Sequence, residues 1–290
     1  QVVLPDGRVI RTGSRARKSS AGYDLTSLFV GSEGTLGVIT ELTVRLHGLP
    51  EKIVSGTCSF PTLDAAVQVV IQAIQFGLPI ARIELMDPLC MRAVNAYSRL
   101  GLVEKPSLFV EFHGSEASVS EQVEVFSALC EEQGADPFRH AERPEDRSSL
   151  WQARHDAYFA ALALKPSTKG IATDVCVPIS KLAECIADTQ RDIEETGIPA
   201  PIVGHVGDGN FHLVMLVDRD SDEEMTRAKD MIGRLNHRAI AMGGTCTGEH
   251  GVGVGKMDYL TAEHGDAVSV MRSIKKALDP DNIMNPGKIF

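Results

Sequence analysis

The chain is predicted to fold as an α+β sandwich of ferredoxin-like split βαβ units, and three features of the sequence predict it. Short apolar strands alternate with amphipathic helices from residue 53 onward. A hairpin returns directly between residues 201 and 218, around the turn pair Asp208-Gly209. Helix starts and stops are marked by Ser or Thr caps and by glycines, so the two periodicities can be told apart. At 290 residues the chain can bury a core in one large domain or in two.

Taken in order, residues 2–12 read as a hairpin, VVL and RVIRT about the turn Pro5-Asp6-Gly7. Residues 36–46 place Leu36, Val38, Leu42, Val44 and Leu46 on one face and Glu41, Thr43 and Arg45 on the other, the pattern of a half-buried strand. Residues 47–51, HGLPE, break that pattern and mark a domain boundary, giving domains 1–50 and 51–290. The strand IVSGTCSF then leads to a helix capped by Thr62, with Leu63, Val67, Val70 and Ile74 on one face and a stop at Gly77. The strand SLFVEFHG leads to a helix with a capping box at Ser118 and Glu121, ending near Gly134. The strand ATDVCVP precedes a helix over 180–197. The strands PIVGHVG and FHLVMLVD form the hairpin, and a long helix boxed by Ser221 and Glu224 closes at Gly243-Gly244.

Composition excludes several classes. A net charge of −10 does not suit a nucleic-acid surface, which needs clustered Lys and Arg. No apolar run reaches the roughly eighteen residues of a membrane span. The six cysteines contain no C-x-x-C pair, which fits a reducing compartment and small core residues better than disulfides or a zinc ribbon. The chain opens at Gln1 within a strand, with no signal or transit segment, as a fragment of a longer protein would.

Two segments carry chemistry. In residues 204–212, GHVGDGNFH, His205 and His212 flank a glycine-rich turn between strands. Opposed side chains of an antiparallel pair lie about 5 Å apart at Cβ, so both imidazoles can meet one metal ion. A plain hydrogen-bonded histidine pair is an equal reading on spacing alone. In residues 243–253, GGTCTGEHGVG, glycines surround Glu249 and His250 and permit close backbone approach to a ligand. Glu249 can complete a His/His/carboxylate set, leaving His250 as a base; a helix C-cap loop is the bland alternative. The segment is neither a P-loop, since Met257 stands where Ser or Thr is required, nor a dinucleotide fingerprint, since Lys256 takes the third glycine position.

Residues 22–37, GYDLTSLFVGSEGTLG, resemble the closing FAD-binding segment of the vanillyl-alcohol-oxidase-type flavoproteins. GHVGDGNFH, GTCTGEHGVG and the terminal Asn285-Pro286-Gly287-Lys288 are similar to their FAD-linked D-lactate dehydrogenase and glycolate oxidase branch. The four motifs run in the family's order along the whole chain. The resemblance implies the end of a PCMH-type FAD-binding domain, followed by a ferredoxin-like α+β substrate and metal cap with a C-terminal helical segment. It implies FAD, contacted by Gly22, Asp24, Gly34, Thr35, Gly37, Ile39 and Asn285. It implies a divalent metal on His205, His212 and Glu249, usually zinc, with manganese or iron as alternatives. His250 matches the base, Asn210 lines the same pocket, and Arg154 matches the arginine that clamps a substrate carboxylate, a contact that suits a planar guanidinium.

The activity so implied is oxidation of a small D-2-hydroxyacid, D-lactate first, with hydride passing to flavin N5. Electrons go on to a cytochrome, quinone or electron-transfer flavoprotein. No nucleic-acid partner is implied; a homodimer, and a cytoplasmic or mitochondrial-matrix location, are compatible with it. Hydroxyglutarate-specific relatives carry a lysine where this chain has Ala172, so a second substrate carboxylate would lack a partner here. Glycolate or D-2-hydroxyglutarate oxidation within the family, or a metal-dependent hydrolase outside it, are the competing readings. A flavin-less binding fragment is a third.

Overall fold

The computed structural model describes residues 1–290 and divides into two compact units, one of residues 1–48 with 249–290 and one of residues 49–248. The smaller unit thus combines the two ends of the chain, and the larger one holds its middle.

The smaller unit begins with β1 (Val2–Val3) and β2 (Val9–Ile10), paired antiparallel as the turn at Pro5-Asp6-Gly7 predicts. After α1 (Leu25–Phe29) comes β3 (Val38–Ile39), which pairs with the other side of β1. The strand expected over 36–46 is thus only two residues long, and Leu42, Val44 and Leu46 are exposed. Hydrogen bonding to Gln1 continues as far as Thr40 and Glu41, the Gln1 carbonyl accepting the Thr40 amide at 3.0 Å and the Gln1 amino group donating to the Glu41 carbonyl at 2.8 Å, and residues 42–46 lie outside the sheet.

The larger unit runs β4 (Lys52–Ser59), α2 (Leu63–Gln75), β5 (Ile80–Met86), α3 (Pro88–Ser98), β6 (Ser107–Gly114), α4 (Glu116–Glu132), β7 (Arg139–Ala141) and α5 (Pro144–Leu164). It continues with β8 (Thr168–Ala172), β9 (Val175–Cys176), α6 (Leu182–Thr196), β10 (Ile202–Gly204), β11 (Asn210–Asp218) and α7 (Asp222–Ala241). The chain then returns to the smaller unit as α8 (Met257–His264) and α9 (Ala267–Leu278).

The sheet order is β7-β4-β6-β5-β10-β11-β8, with β9 also pairing β11 and every pairing antiparallel. Within it β7-β4-β6-β5 is one split βαβ unit. The order β10-β11-β9, extended by the Cys176–Thr245 bridge, is a second. The two meet where β5 pairs with β10, Val203 opposite Met86. One sheet face is buried under α2, α4, α6 and α7 around Phe60, Phe112, Phe126 and Phe211. The other carries α3 and α5, packed on Met86, Phe109 and Val203 through Met91, Trp151 and Ala157.

Thr62 and Ser221 cap their helices as expected, accepting from the Ala65 and Glu224 amides. The start of α4 lies earlier than predicted: Ser115 is the cap and Ser118 donates its amide to it. β5 escapes the period-2 pattern because a bulge between Ile80 and Arg82 shifts its register at its start.

Candidate active site

The junction of the two halves concentrates the polar chemistry of the larger unit. β10 ends at Gly204, and a 3₁₀ turn over Val206–Asp208 carries the chain to β11, with Gly209 at φ +79°. Gly207 lies against Ile83, where a Cβ would come within 2.7 Å of Cγ2, so only glycine lets the turn hug β5. This departure leaves a cavity of about 230 Å³, lined by Ile80, Ile83, Glu84, His205 and Asp208 among others.

His205 stands at its rim. Its Nδ1 lies 2.6 Å from Glu84 Oε1, and Glu84 Oε2 accepts from Arg154 Nε at 2.8 Å. Arg154 reaches this point from α5, and its second terminal nitrogen is 3.4 Å from His205 Nε2. A guanidinium only donates, so His205 carries its proton on Nδ1, toward Glu84, and its lone pair on Nε2. His212 is opposite Val203, not opposite His205 as a tight hairpin would put it. The two rings nonetheless come together, with centroids 5.7 Å apart and planes at 86°. His212 Nδ1 donates to the Thr173 carbonyl at 2.9 Å, which again assigns the lone pair to Nε2. Both imidazoles therefore carry a hydrogen-bonded proton on Nδ1, as metal-ligating histidines do, while His205 Nε2 here faces the Arg154 guanidinium at 3.4 Å.

Beside His212 lies Asp174, fully buried, with Oδ1 3.7 Å from His212 Nδ1. Asn210 donates its amide to Asp174 Oδ1 and to the Val175 carbonyl, both at 2.9 Å. Thr247 Oγ1 donates to Asp174 Oδ2 at 3.0 Å, and the Gly248 amide to the Asp174 carbonyl. Gly248 has no room for a side chain: a Cβ would sit 2.3 Å from Asn210 Nδ2. The network anchors the glycine-rich segment to β9 and β11 up to Gly248, the residue before Glu249. Asp174 and His212 present ligand atoms within 4.8 Å of each other, and so do Glu249 and His250 in the smaller unit. His205 does not belong to this close-ligand set.

In the smaller unit the predicted flavin residues fall into two places. Gly22 is exposed at φ +87°, and Asp24 caps α1, where hydrogen bonds from Ser27 hold its carboxyl below the ordinary value. Ile39, in β3, is half exposed. Gly34, Thr35, Gly37 and Asn285 form a tighter group. Gly31, Glu33 and Gly34 all have positive φ, turning backbone groups outward in quick succession. Asn285 Nδ2 donates to the Glu33 carbonyl at 2.5 Å, and the Glu33 carboxylate accepts the Val252 and Gly253 amides at 2.7 and 2.8 Å. Gly37 packs on Val2, with 2.7 Å from a Cβ to Cγ1. A 240 Å³ cavity opens between this turn and Leu260, Ile274 and Phe290. Polar backbone on one side and apolar walls on the other suit a flat heteroaromatic ring.

Sequence reasoning missed Glu84 and the ligating potential of Asp174. Glu84 left one faint signal, an acid among Ile83, Leu85 and Met86.

The family described as FAD linked oxidases, C-terminal domain, matches residues 49–289. A Danio rerio protein named "Probable D-lactate dehydrogenase, mitochondrial" is 50% identical over 294 residues, covering 100% of this chain and 59% of its own length. The D-lactate dehydrogenase (cytochrome), mitochondrial, of Arabidopsis thaliana is 45% identical, covering 100% and 51%. The glycolate oxidase subunit GlcD of Bacillus subtilis is 37% identical, covering 100% and 62%. The chain therefore spans between half and two-thirds of the length of these relatives. Among solved structures, the 4-ethylphenol oxidase from Gulosibacter chungangensis matches 99% of the chain and 64% of its own, with TM-score 0.76 at 21% identity. A p-cresol methylhydroxylase with substrate bound matches the same shares at TM-score 0.74 and 17% identity. They share the expected fold class, the end of a PCMH-type domain followed by an α+β cap.

Proposed function

Because the chain belongs to the FAD linked oxidases, C-terminal domain family, we propose that it forms the substrate cap and part of the flavin site of an FAD-dependent D-2-hydroxyacid dehydrogenase acting on D-lactate. The observation that carries this reading is the meeting of Arg154, Glu84 and His205 where the two halves of the sheet join, beside His212. That meeting supplies an arginine suited to a carboxylate and, one side chain away, a pair of imidazoles suited to a divalent ion.

In this reading Gly34, Thr35, Gly37 and Asn285 hold FAD, with Gly22, Asp24 and Ile39 farther along it. His205, His212 and Glu249 hold zinc, with manganese or iron as alternatives, and the buried Asp174 stands behind His212. When bound, the flavin supplies a hydride acceptor and the metal supplies positive charge that lowers the pKa of a hydroxyl. Arg154 grips the substrate carboxylate through its terminal edge. His250 takes the hydroxyl proton, and Asn210 keeps Asp174 and the 247–248 turn in place. The compartment is mitochondrial, in line with the printed names of the zebrafish and Arabidopsis relatives, and the electron acceptor a cytochrome, in line with the Arabidopsis name. No helix is long and apolar enough to cross a membrane.

The test is anaerobic addition of D-lactate to the complete, flavin-loaded protein. The flavin absorbance should bleach, and Arg154→Met should raise the KM for D-lactate by at least about tenfold through loss of a charge-assisted bidentate contact. D-2-hydroxyglutarate should be slower, because Ala172 in β8 provides no cation for a distal carboxylate. Unchanged absorbance with every D-2-hydroxyacid would overturn the reading.

A further inference from the structure

Glu84 belongs to none of the motifs, yet it touches two of the residues on which the site depends. It sits on β5, at 5% exposure, facing the α5 side of the sheet. Its two oxygens are divided between partners: Oε1 holds His205 Nδ1 at 2.6 Å and Oε2 holds Arg154 Nε at 2.8 Å. These partners come from elements far apart in the chain, the end of β10 and the middle of α5. A buried carboxylate that accepts a short hydrogen bond on each oxygen fixes the plane of both partners.

For His205, a carboxylate on Nδ1–H sets the tautomer, keeps the lone pair on Nε2 and raises its basicity as a ligand. For Arg154, engagement of Nε fixes the guanidinium plane and leaves the pair of terminal nitrogens as the edge for a second carboxylate. The same negative charge balances the guanidinium, so the arginine can be buried without being an uncompensated cation.

We propose that Glu84 is a positioning residue that sets, with one carboxylate, the orientation of both the metal-facing imidazole of His205 and the carboxylate-binding guanidinium of Arg154. The proposal rests on the function given above and adds a coupling between metal affinity and substrate binding. An amide at this position has one acceptor oxygen and one donor nitrogen, so Glu84→Gln can keep one of the two bonds but not both.

The test uses the complete protein, with zinc affinity measured by chelator competition and KM and kcat measured for D-lactate. Glu84→Gln should weaken zinc by about 10- to 100-fold, the usual effect of losing an outer-shell partner, and should raise KM as well. In the Arg154→Met background it should still weaken zinc but no longer change KM. In the His205→Ala background it should still raise KM but leave zinc unchanged. Glu84→Asp keeps both acceptor oxygens and should recover part of both properties, while Glu111→Gln, on the neighbouring strand, should leave zinc affinity at the wild-type value. Circular dichroism confirms that each variant is folded; if Glu84→Gln does not fold, Glu84→Asp decides, a partial loss of both properties being expected. Wild-type zinc affinity and KM in the folded Glu84 variant overturn the proposal, as does loss of only one of the two. If wild-type protein itself binds no divalent metal and no D-2-hydroxyacid, the functional reading fails first and takes this proposal with it.

Discussion

At the level of single residues, two carboxylates on adjacent strands dock α5, and each illustrates what a sequence does not announce. Glu84 holds Arg154. Glu111 accepts from Trp151 Nε1 at 2.9 Å, Ser55 Oγ at 2.5 Å, His113 Nε2 at 2.9 Å and the Arg82 guanidinium at 3.1 Å. Burial alone would raise the Glu111 pKa, but the hydrogen bonds from Ser55, Arg82 and His113 outweigh it and hold the carboxyl at about 2, below the ordinary 4.5. A depressed carboxylate pKa stabilises the fold above the unfolded value, and that contribution disappears as pH falls from 4.5 toward 2. Urea unfolding should therefore show Glu111→Gln less stable than wild type at pH 7, with the gap narrowing below pH 4.5 and closing only toward pH 2; a constant gap would refute the assignment. A second expectation at this scale is that His212→Ala loses most bound metal, since a three-ligand site tolerates no missing ligand; stoichiometric metal in the variant would make the imidazole structural. His205, His212, Asn210 and Arg154 could be proposed from the sequence because motifs frame them. Glu84 and Asp174 were not, because a lone acid in or beside a strand has no spacing to read, and its partners lie 121 and 38 residues away.

Among the elements, those with caps at both ends were the easiest to read. α2 has Thr62 and Gly77, and α6 ends at Gly197 in the left-handed region, each a local signal sufficient on its own. β5 was hidden by its bulge, and the strand expected over 36–46 failed because pairing, which no local pattern encodes, decides whether an alternating segment becomes a strand. α3 carries a testable peculiarity. Its cap Asp87 accepts the Cys90 amide at 2.7 Å, but burial pushes the carboxyl up to about 7 from an ordinary 3.8. A raised carboxylate pKa means that the folded chain holds a proton the unfolded chain has given up. The resulting stability is complete below 3.8 and is lost as pH rises through 7. Asp87→Asn keeps a good N-cap and removes the titration. Its Tm should therefore exceed that of wild type at pH 8 and approach it near pH 4; parallel Tm curves across this range would show that Asp87 is not titrating there.

For the molecule as a whole, the division at Gly48 and Gly248 gives a physical separation of folding from ligand supply. Every strand of the large sheet, and both cores on its two faces, belong to residues 49–248. So do the Glu84–His205–Arg154 cluster and the Asp174–Asn210–Thr247 network, which ends at Gly248. Glu249 and His250 begin the other unit. A fragment of residues 49–248 should consequently fold with a single cooperative transition in urea, since nothing in its sheet or core depends on the rest of the chain. It should keep the shared environment of the two histidines, seen as an unbroken nuclear Overhauser contact between the His205 and His212 rings. If His205, His212 and Glu249 are the ligand set proposed above, the fragment, lacking Glu249, should bind zinc much more weakly than the complete protein. Extending the fragment by Glu249 and His250 alone should then recover part of the affinity. Zinc affinity in the 49–248 fragment equal to that of the complete protein would remove Glu249 from the ligand set and leave Asp174 in its place.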